Sequence, residues 1–336
     1  MVNNSKLNIN AYRERVKVIE NNRLSDQQCE SFYNYLKASN KPLIYSGGGT
    51  IAADASQELR NFSDRFQIPV TTTLMGIGAV DTQSQLSLEM LGMHGTAFAN
   101  YAVEDCDFII ALGGGSTIDA SKSISLYKSL NKIDNVIGTN LNSNILSVPV
   151  IAIPTTAGTG SEVTKGAIIT NSKTYFKSGV RGNQIFPKVA VIDPSLTLTL
   201  PQNVAIETGF DTFTHLFESY LANRSNLFTE ALSIHGLGII LKQLPKSLNN
   251  PKDLDLRSKV MFCSLLGGLN VANASTCLPH RLQQAMTDKN FKYKFSHAKG
   301  LSLVYPSWLK RVYPYAKVKI ANLKRKLGVT SRKYDF

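Results

Sequence analysis

Short apolar, β-branched runs alternate with stretches of helical spacing from residue 42 to about residue 200, and after Pro201 the strand-like runs stop. That alternation restricts the fold more than any other feature of the chain. A strand followed by ten or more helical residues and another strand cannot close as a tight hairpin, so it crosses over and lies parallel. The strand-like runs include PLIYS at 42–46, IPVTTTLMG, CDFIIALGGG and VPVIAIPTTAG, and VAVIDPSLTLTLP closes this part. Between them AADASQELRNFSDRF, a segment near 96–104 and GGGSTIDASKSISLYKSL carry helical patterns. The later segments IETGFDTFTHLFESYLANRS, FTEALSIHGLGIILKQL and SKVMFCSLLGGLNVANA are helical throughout. The expected fold class is therefore α/β: an N-terminal domain with a parallel sheet over 1–200, then an all-helical domain over 201–336. The first forty residues read as helix, with SDQQCESFYNYLKASN the clearest part.

Composition narrows the setting. Of 336 residues 43% are hydrophobic, yet no run reaches the roughly 18–20 apolar residues needed to span a bilayer. The N-terminus MVNNSKLNINAYRER has no apolar stretch of the signal-peptide kind. Four scattered cysteines form neither a CxxC pair nor a disulfide framework. Cytoplasm is the expected compartment and no membrane partner is expected. Residues 288–336 hold 13 Lys/Arg against 2 Asp/Glu, so +11 of the net +13 sits in this tail. The tail lacks the signatures of a nucleic-acid module, so it reads as a solvated helical face and no nucleic-acid partner is expected.

Five histidines can each be weighed. Asp211 and His215 are four residues apart in a helical pattern, on one face a turn apart. His280 and His297 lie downstream. One carboxylate and three imidazoles suit Fe2+ or Zn2+. From spacing alone, a hydrogen-bonded surface pair is the commoner reading of Asp211 and His215. The GGGS turn at 113–116 lets a backbone approach a pyrophosphate at a helix N-terminus, and a plain tight turn would look the same.

The runs IALGGGSTIDASK, IPTTAGTGSEVT, VIDPSLTLTLP and ETGFDTFTHLFESY, in this order, resemble the iron-containing (metal-dependent) alcohol dehydrogenase family over about 107–336. The resemblance implies that Asp211, His215, His280 and His297 hold the metal and carry the chemistry. It implies that Gly114, Gly115, Ser116 and Asp119 contact a dinucleotide, NAD or NADP. Thr155, Thr156, Thr159 and Ser161 would line the nicotinamide-ribose side, with Lys177 nearby. The implied activity is hydride transfer between a small alcohol and its aldehyde or ketone. Where the family commonly has a further histidine, this chain has Gln284, which cannot relay a proton. His235 matches no motif.

Residues 1–112 are similar instead to the central domain of acetolactate synthase, through KPLIYSGGGT, TTLMGIGA and LGMHGTAFANY. In that enzyme the domain holds FAD, and the matching positions are Gly48, Gly49, Thr73, Leu74, Met75, Leu91, Gly92, Met93 and His94. The change-over falls at Leu112 and Gly113, inside a strand pattern both families share. After His297 the dehydrogenase family has a longer set of helices, whereas 39 residues follow here. The helical domain is thus expected to be truncated, and apolar faces left open favour a homo-oligomer. The alternative is an inactive chimeric or truncated module that binds a nucleotide or flavin.

Overall fold

The computed structural model describes residues 24–130, 132–286, 293 and 295–329. Of the helix expected over the first forty residues, 1–23 lie outside the described residues, as do 287–292, 294 and 330–336 of the basic tail. Within the unit Met1–Asn40, helix α1 (Asp26–Ala38) starts with a capping box: Ser25 accepts from the Gln28 amide, and Gln28 accepts from the Ser25 amide.

The unit Lys41–Phe336 is built on a six-stranded sheet. Its strands are β1 (Pro42–Ser46), β2 (Val70–Thr72), β3 (Ser87–Met90), β4 (Phe108–Gly113), β5 (Val150–Pro154) and β8 (Val189–Ala190). They run parallel in the order β3-β2-β1-β4-β5-β8. The β4 run FIIALG is buried at every position, which is why it reads as continuous rather than alternating apolar sequence. The helices α2 (Gly49–Ala52), α3 (Ser56–Phe66), α4 (Ala97–Asp105) and α5 (Gly115–Ile124) supply the crossovers. An antiparallel hairpin, β6 (Gly166–Thr170) and β7 (Lys177–Arg181), and strand β3 do not stand out in the sequence pattern. The closing run is mostly not strand: β8 has two residues, and Pro194 opens a 3-10 turn whose first amide, Ser195, is capped by Asp193 at 2.9 Å.

The strand order proceeds outward in both directions from the β1/β4 pair. At such a switch point the two following loops diverge and leave a crevice beyond the carboxyl ends of the strands. Both glycine runs lie there, Gly47 to Gly49 after β1 and Gly113 to Gly115 at the end of β4. The fit between them needs glycine. A Cβ on Gly47 would stand 2.1 Å from Thr117 Oγ1, and one on Gly49 would stand 1.9 Å from Thr155 Oγ1.

Five helices follow: α6 (Gln202–Leu221), α7 (Leu227–Asn249), α8 (Leu254–Ala274), α9 (Leu278–Ala285) and α10 (His297–Lys326). Asn226, Asp253 and Ser296 cap α7, α8 and α10. Leu216, Tyr220, Leu237, Ile240, Val260, Met261, Leu266 and Leu323 form their shared core. Two contacts bring this core against the sheet loops. Thr212 Oγ1 of α6 donates to the Ala157 carbonyl at 3.2 Å, and a Cβ on Gly268 of α8 would lie 2.4 Å from the Gly160 carbonyl oxygen. No single described helix is long and apolar enough to cross a membrane.

Candidate active site

Helix α6 carries Asp211, His215 and Glu218 at intervals of four and three, which puts them along one face. All three are buried, and Glu218 is 0% exposed. Pro279, in the first turn of α9, lacks only an amide hydrogen that the helix start could not use, and it sets His280 opposite that face. Ser296 caps α10, so His297 is its first residue.

The side chains converge on one oxygen. Asp211 Oδ1 is 3.5 Å from His215 Nε2, 3.5 Å from His280 Nε2 and 3.4 Å from His297 Nε2. The tightest group is Asp211, His280 and His297, whose donor atoms all lie within 4.8 Å of one another. His215 joins through Asp211 and through its ring, stacked 4.9 Å from that of His280. These N–O separations are long for hydrogen bonds, and Asp211 Oδ1 and His280 Nε2 are buried with no hydrogen-bond partner. Buried polar atoms seldom stay so, and four converging ligand atoms, two of them buried without a partner, are what a cation site looks like before an ion is added.

The far sides of two rings are held. His280 Nδ1 lies 2.9 Å from Glu218 Oε1, and His297 Nδ1 lies 2.6 Å from Gln283 Oε1. Glu218 also accepts from Tyr305 Oη at 3.1 Å and from the Cys277 amide at 2.6 Å. Donating Nδ1–H to an oxygen leaves the Nε2 lone pair free to face Asp211. Burial raises the Asp211 carboxyl, but the surrounding imidazoles outweigh it and hold the group well below the usual carboxylate range. Burial pushes His215 down to about 4, so it stays neutral at physiological pH. His280 meets the same burial, but the Glu218 and Asp211 carboxylates on either side of it outweigh that and carry it up to about 9, so a cation bound at Nε2 must displace a proton there. Burial and the Glu218 carboxylate hold the Tyr305 phenol well above its ordinary value.

The cluster opens into a cleft of about 920 Å³ that also reaches the start of α5. Gly115, Ser116, Asp119, Thr159, Ser161 and Lys177 line it together with Asp211, His215, His280 and His297. Gly114, Thr155 and Thr156 do not line it: Thr155 is 0% exposed and packs beneath Gly49, and Thr156 packs against Gly114. Asp119 spends both oxygens inside the protein, accepting from Ser161 Oγ at 2.5 Å and from the Ile168 amide at 2.9 Å. Its carboxyl is pushed up by burial. Burial also lowers Lys177, against the pull of Asp119 and Asp211. Gln284 lines the cleft and accepts from Arg281 Nη1 at 3.3 Å. His94 and Met93 of the flavin-like segment are exposed and outside this cleft.

Sequence reasoning missed three groups. Glu218 had a signal, because it continues the Asp211 and His215 stripe by one turn. Gln283 had none, since its partner His297 is 14 residues away. Lys122 had only its place one turn beyond Asp119, and it is wholly buried.

The two parts of the chain match two different families. Residues 205–335 match the Fe-containing alcohol dehydrogenase family, C-terminal, and residues 30–148 match the thiamine pyrophosphate enzyme central domain. The second match runs past the expected limit at residue 112. Among curated relatives, the NAD-dependent methanol dehydrogenase of Bacillus methanolicus is 34% identical over 195 residues, covering 58% of this chain and 50% of that protein. The mitochondrial hydroxyacid-oxoacid transhydrogenase of Bos taurus is 31% identical over 264 residues, covering 67% and 56%. The chain spans about half the length of the curated relatives it matches. Among solved structures, an iron-containing alcohol dehydrogenase of Thermotoga maritima aligns with a TM-score of 0.68 at 26% identity, over 85% of this chain and 76% of that one. That likeness covers the sheet as well as the helices, so a segment of thiamine-enzyme type fills the place of a dehydrogenase's own strands. Parallel βαβ units with buried strands make the exchange possible, because strand spacing and crossover hand are common to both.

Proposed function

We propose that this chain is a metal-dependent NAD(P) oxidoreductase interconverting a small alcohol and its aldehyde or ketone. The observation that carries the reading is the convergence of three Nε2 atoms on Asp211 Oδ1 in the cleft that also exposes Ser116. The relatives' names support the class.

Asp211, His215, His280 and His297 would hold Fe2+ or Zn2+, a donor set too poor in carboxylates for Ca2+ or Mg2+. A divalent cation there supplies Lewis acidity toward an alcohol or carbonyl oxygen. The chain's own groups supply placement. Glu218 and Gln283 hold the His280 and His297 rings with Nε2 toward Asp211. The first turn of α5, at Gly115 and Ser116, presents amides without intrahelical acceptors to the cleft, where a pyrophosphate is favoured by the helix dipole. Thr159 and Ser161 form the facing wall, which would keep a nicotinamide ring beside the four ligands. Gln284 accepts from Arg281, and its amide cannot relay the alcohol proton. By the same reading, residues up to 200 form the nucleotide-binding part and 201–336 the metal-binding part, and the protein works as a homo-oligomer in the cytoplasm.

Metal analysis of the purified protein, followed by NADH and NADPH oxidation with short aldehydes, tests the reading. Stoichiometric iron or zinc with turnover is the expected result. Metal-loaded protein that turns over neither cofactor overturns it, and a yellow, flavin-loaded protein without turnover points to the binding-module alternative.

A further inference from the structure

Lys122 is the one lysine among the largest fully buried side chains of the described residues, at 0% exposure. Five oxygens surround its Nζ. The Ser161 carbonyl is the closest, followed by Ser161 Oγ at 2.9 Å, the Thr164 carbonyl at 2.9 Å, Thr164 Oγ1 at 3.0 Å and the Gly166 carbonyl at 3.0 Å. An ammonium has three N–H donors, so five oxygens at this range exceed what discrete hydrogen bonds require. Three carbonyls and two hydroxyls gathered around one positive centre are the environment of a desolvated monovalent cation.

The reason for such a cage is local. Residues 161–166 turn through a short 3-10 segment, Ser161–Val163, before entering β6. Ser161, Glu162 and Thr164 are buried, so the carbonyls at the entry to β6 have little access to water. Leaving them unpaired would be costly, and an internal cation satisfies several at once. The same helix grips this loop at a second point one turn earlier, where Asp119 accepts from Ser161 Oγ and the Ile168 amide. Between these two points and the helix start, Gly115 approaches Thr159 so closely that a Cβ would stand 2.5 Å from its methyl and hydroxyl.

We infer that Lys122 is a positioning residue whose ammonium fills a potassium-like oxygen cage and thereby sets the gap between the first turn of α5 and the 159–166 loop. The inference rests on the proposed function in one respect, that this gap receives the dinucleotide. Lys122 touches neither cofactor nor substrate; it acts through Ser161 and Thr164.

Lys122→Ala vacates the cage without touching the four histidine and aspartate ligands, and ammonium, methylammonium or potassium can refill it. The test measures NADH affinity by fluorescence, bound metal and melting temperature, each in chloride salts of sodium, potassium, ammonium, methylammonium and tetramethylammonium at equal ionic strength. In sodium the variant is expected to bind NADH at least about tenfold more weakly than the parent, with metal content unchanged. Potassium, ammonium or methylammonium should recover most of that loss and raise the melting temperature, and tetramethylammonium, too large for the cage, should not. Parent-like NADH affinity in sodium, or equal effects of every salt, overturns the inference. A parent protein that binds no NADH overturns the proposed function instead, and cation-selective recovery of the melting temperature then decides the cage by itself. If Lys122→Ala does not fold, Lys122→Gln takes its place: its amide has two N–H donors for the five oxygens, so a measurable NADH affinity weaker than that of the parent is expected, and parent-like affinity is the overturning result.

Discussion

The two ends of the 920 Å³ cleft are finished to different degrees. At the wall formed by α5 and the 159–166 loop, Lys122 has more oxygen partners than donors, Asp119 is paired at both oxygens, and Ser161 bonds both. At the helical end, Asp211 Oδ1 and His280 Nε2 are buried with none. Both regions bury charge, and buried charge is tolerated only when compensated. The wall is compensated by the protein itself, as a preorganised surface should be. The helical end is compensated only through outer groups, Glu218 and Gln283, with its inner atoms left for something else.

The comparison is broken most directly by His215→Ala. Loss of bound iron or zinc together with turnover is expected, with NADH affinity retained because the wall lies on other elements. Full metal occupancy in that variant, read by elemental analysis, removes the ligand set. Glu218→Gln is a gentler test, since it keeps the shape but gives His280 and Tyr305 a weaker acceptor. Metal affinity should fall by about 10- to 100-fold in competition with a chelator, while NADH binding holds. On the opposite side, Gly115→Ala drives a methyl into Thr159. NADH affinity should weaken by about tenfold with metal content unchanged, the reverse of the first two patterns. The smallest effect concerns thiols. Burial pushes Cys106 up to about 11, and Cys263 and Cys277 up to about 12, while Cys29 is exposed. Because the thiolate is the reactive form, iodoacetamide should modify one thiol of the native protein through pH 9, with the other three joining only as the pH nears 11 or on unfolding. Rapid labelling of Cys277 at pH 8, followed by mass spectrometry, would show the helical end to be open rather than closed around Glu218.

Much of the fold was legible because parallel strands buried on both faces must be continuous apolar runs. The β1, β4 and β5 runs and the helices from α6 onward follow the pattern closely. The hairpin β6–β7 and the short β3 escaped it: KSGVR and SLEM are half-buried and polar enough to read as loop. The β8 run was over-read because Pro194 ends it by geometry, not hydropathy. In the cleft, the i, i+4 spacing of Asp211 and His215 was visible, and the GGGS turn with it. Gly114, Thr155 and Thr156 belong to the same motifs as their neighbours, but motif membership does not say which way a side chain faces.

By itself the sequence decided which residue types were available and how they repeat along each element: glycine where backbones nearly touch, Asp211 and His215 one turn apart, apolar runs of strand length. Those are local matters, set by backbone geometry over a few residues. Tertiary structure alone decided that His280 and His297 point at the same oxygen as His215, that Gln283 and Glu218 hold their far sides, and that Lys122 is enclosed by a loop some forty residues on. Each of these joins atoms far apart along the chain, and only the packing of helices against the sheet loops fixes their distance.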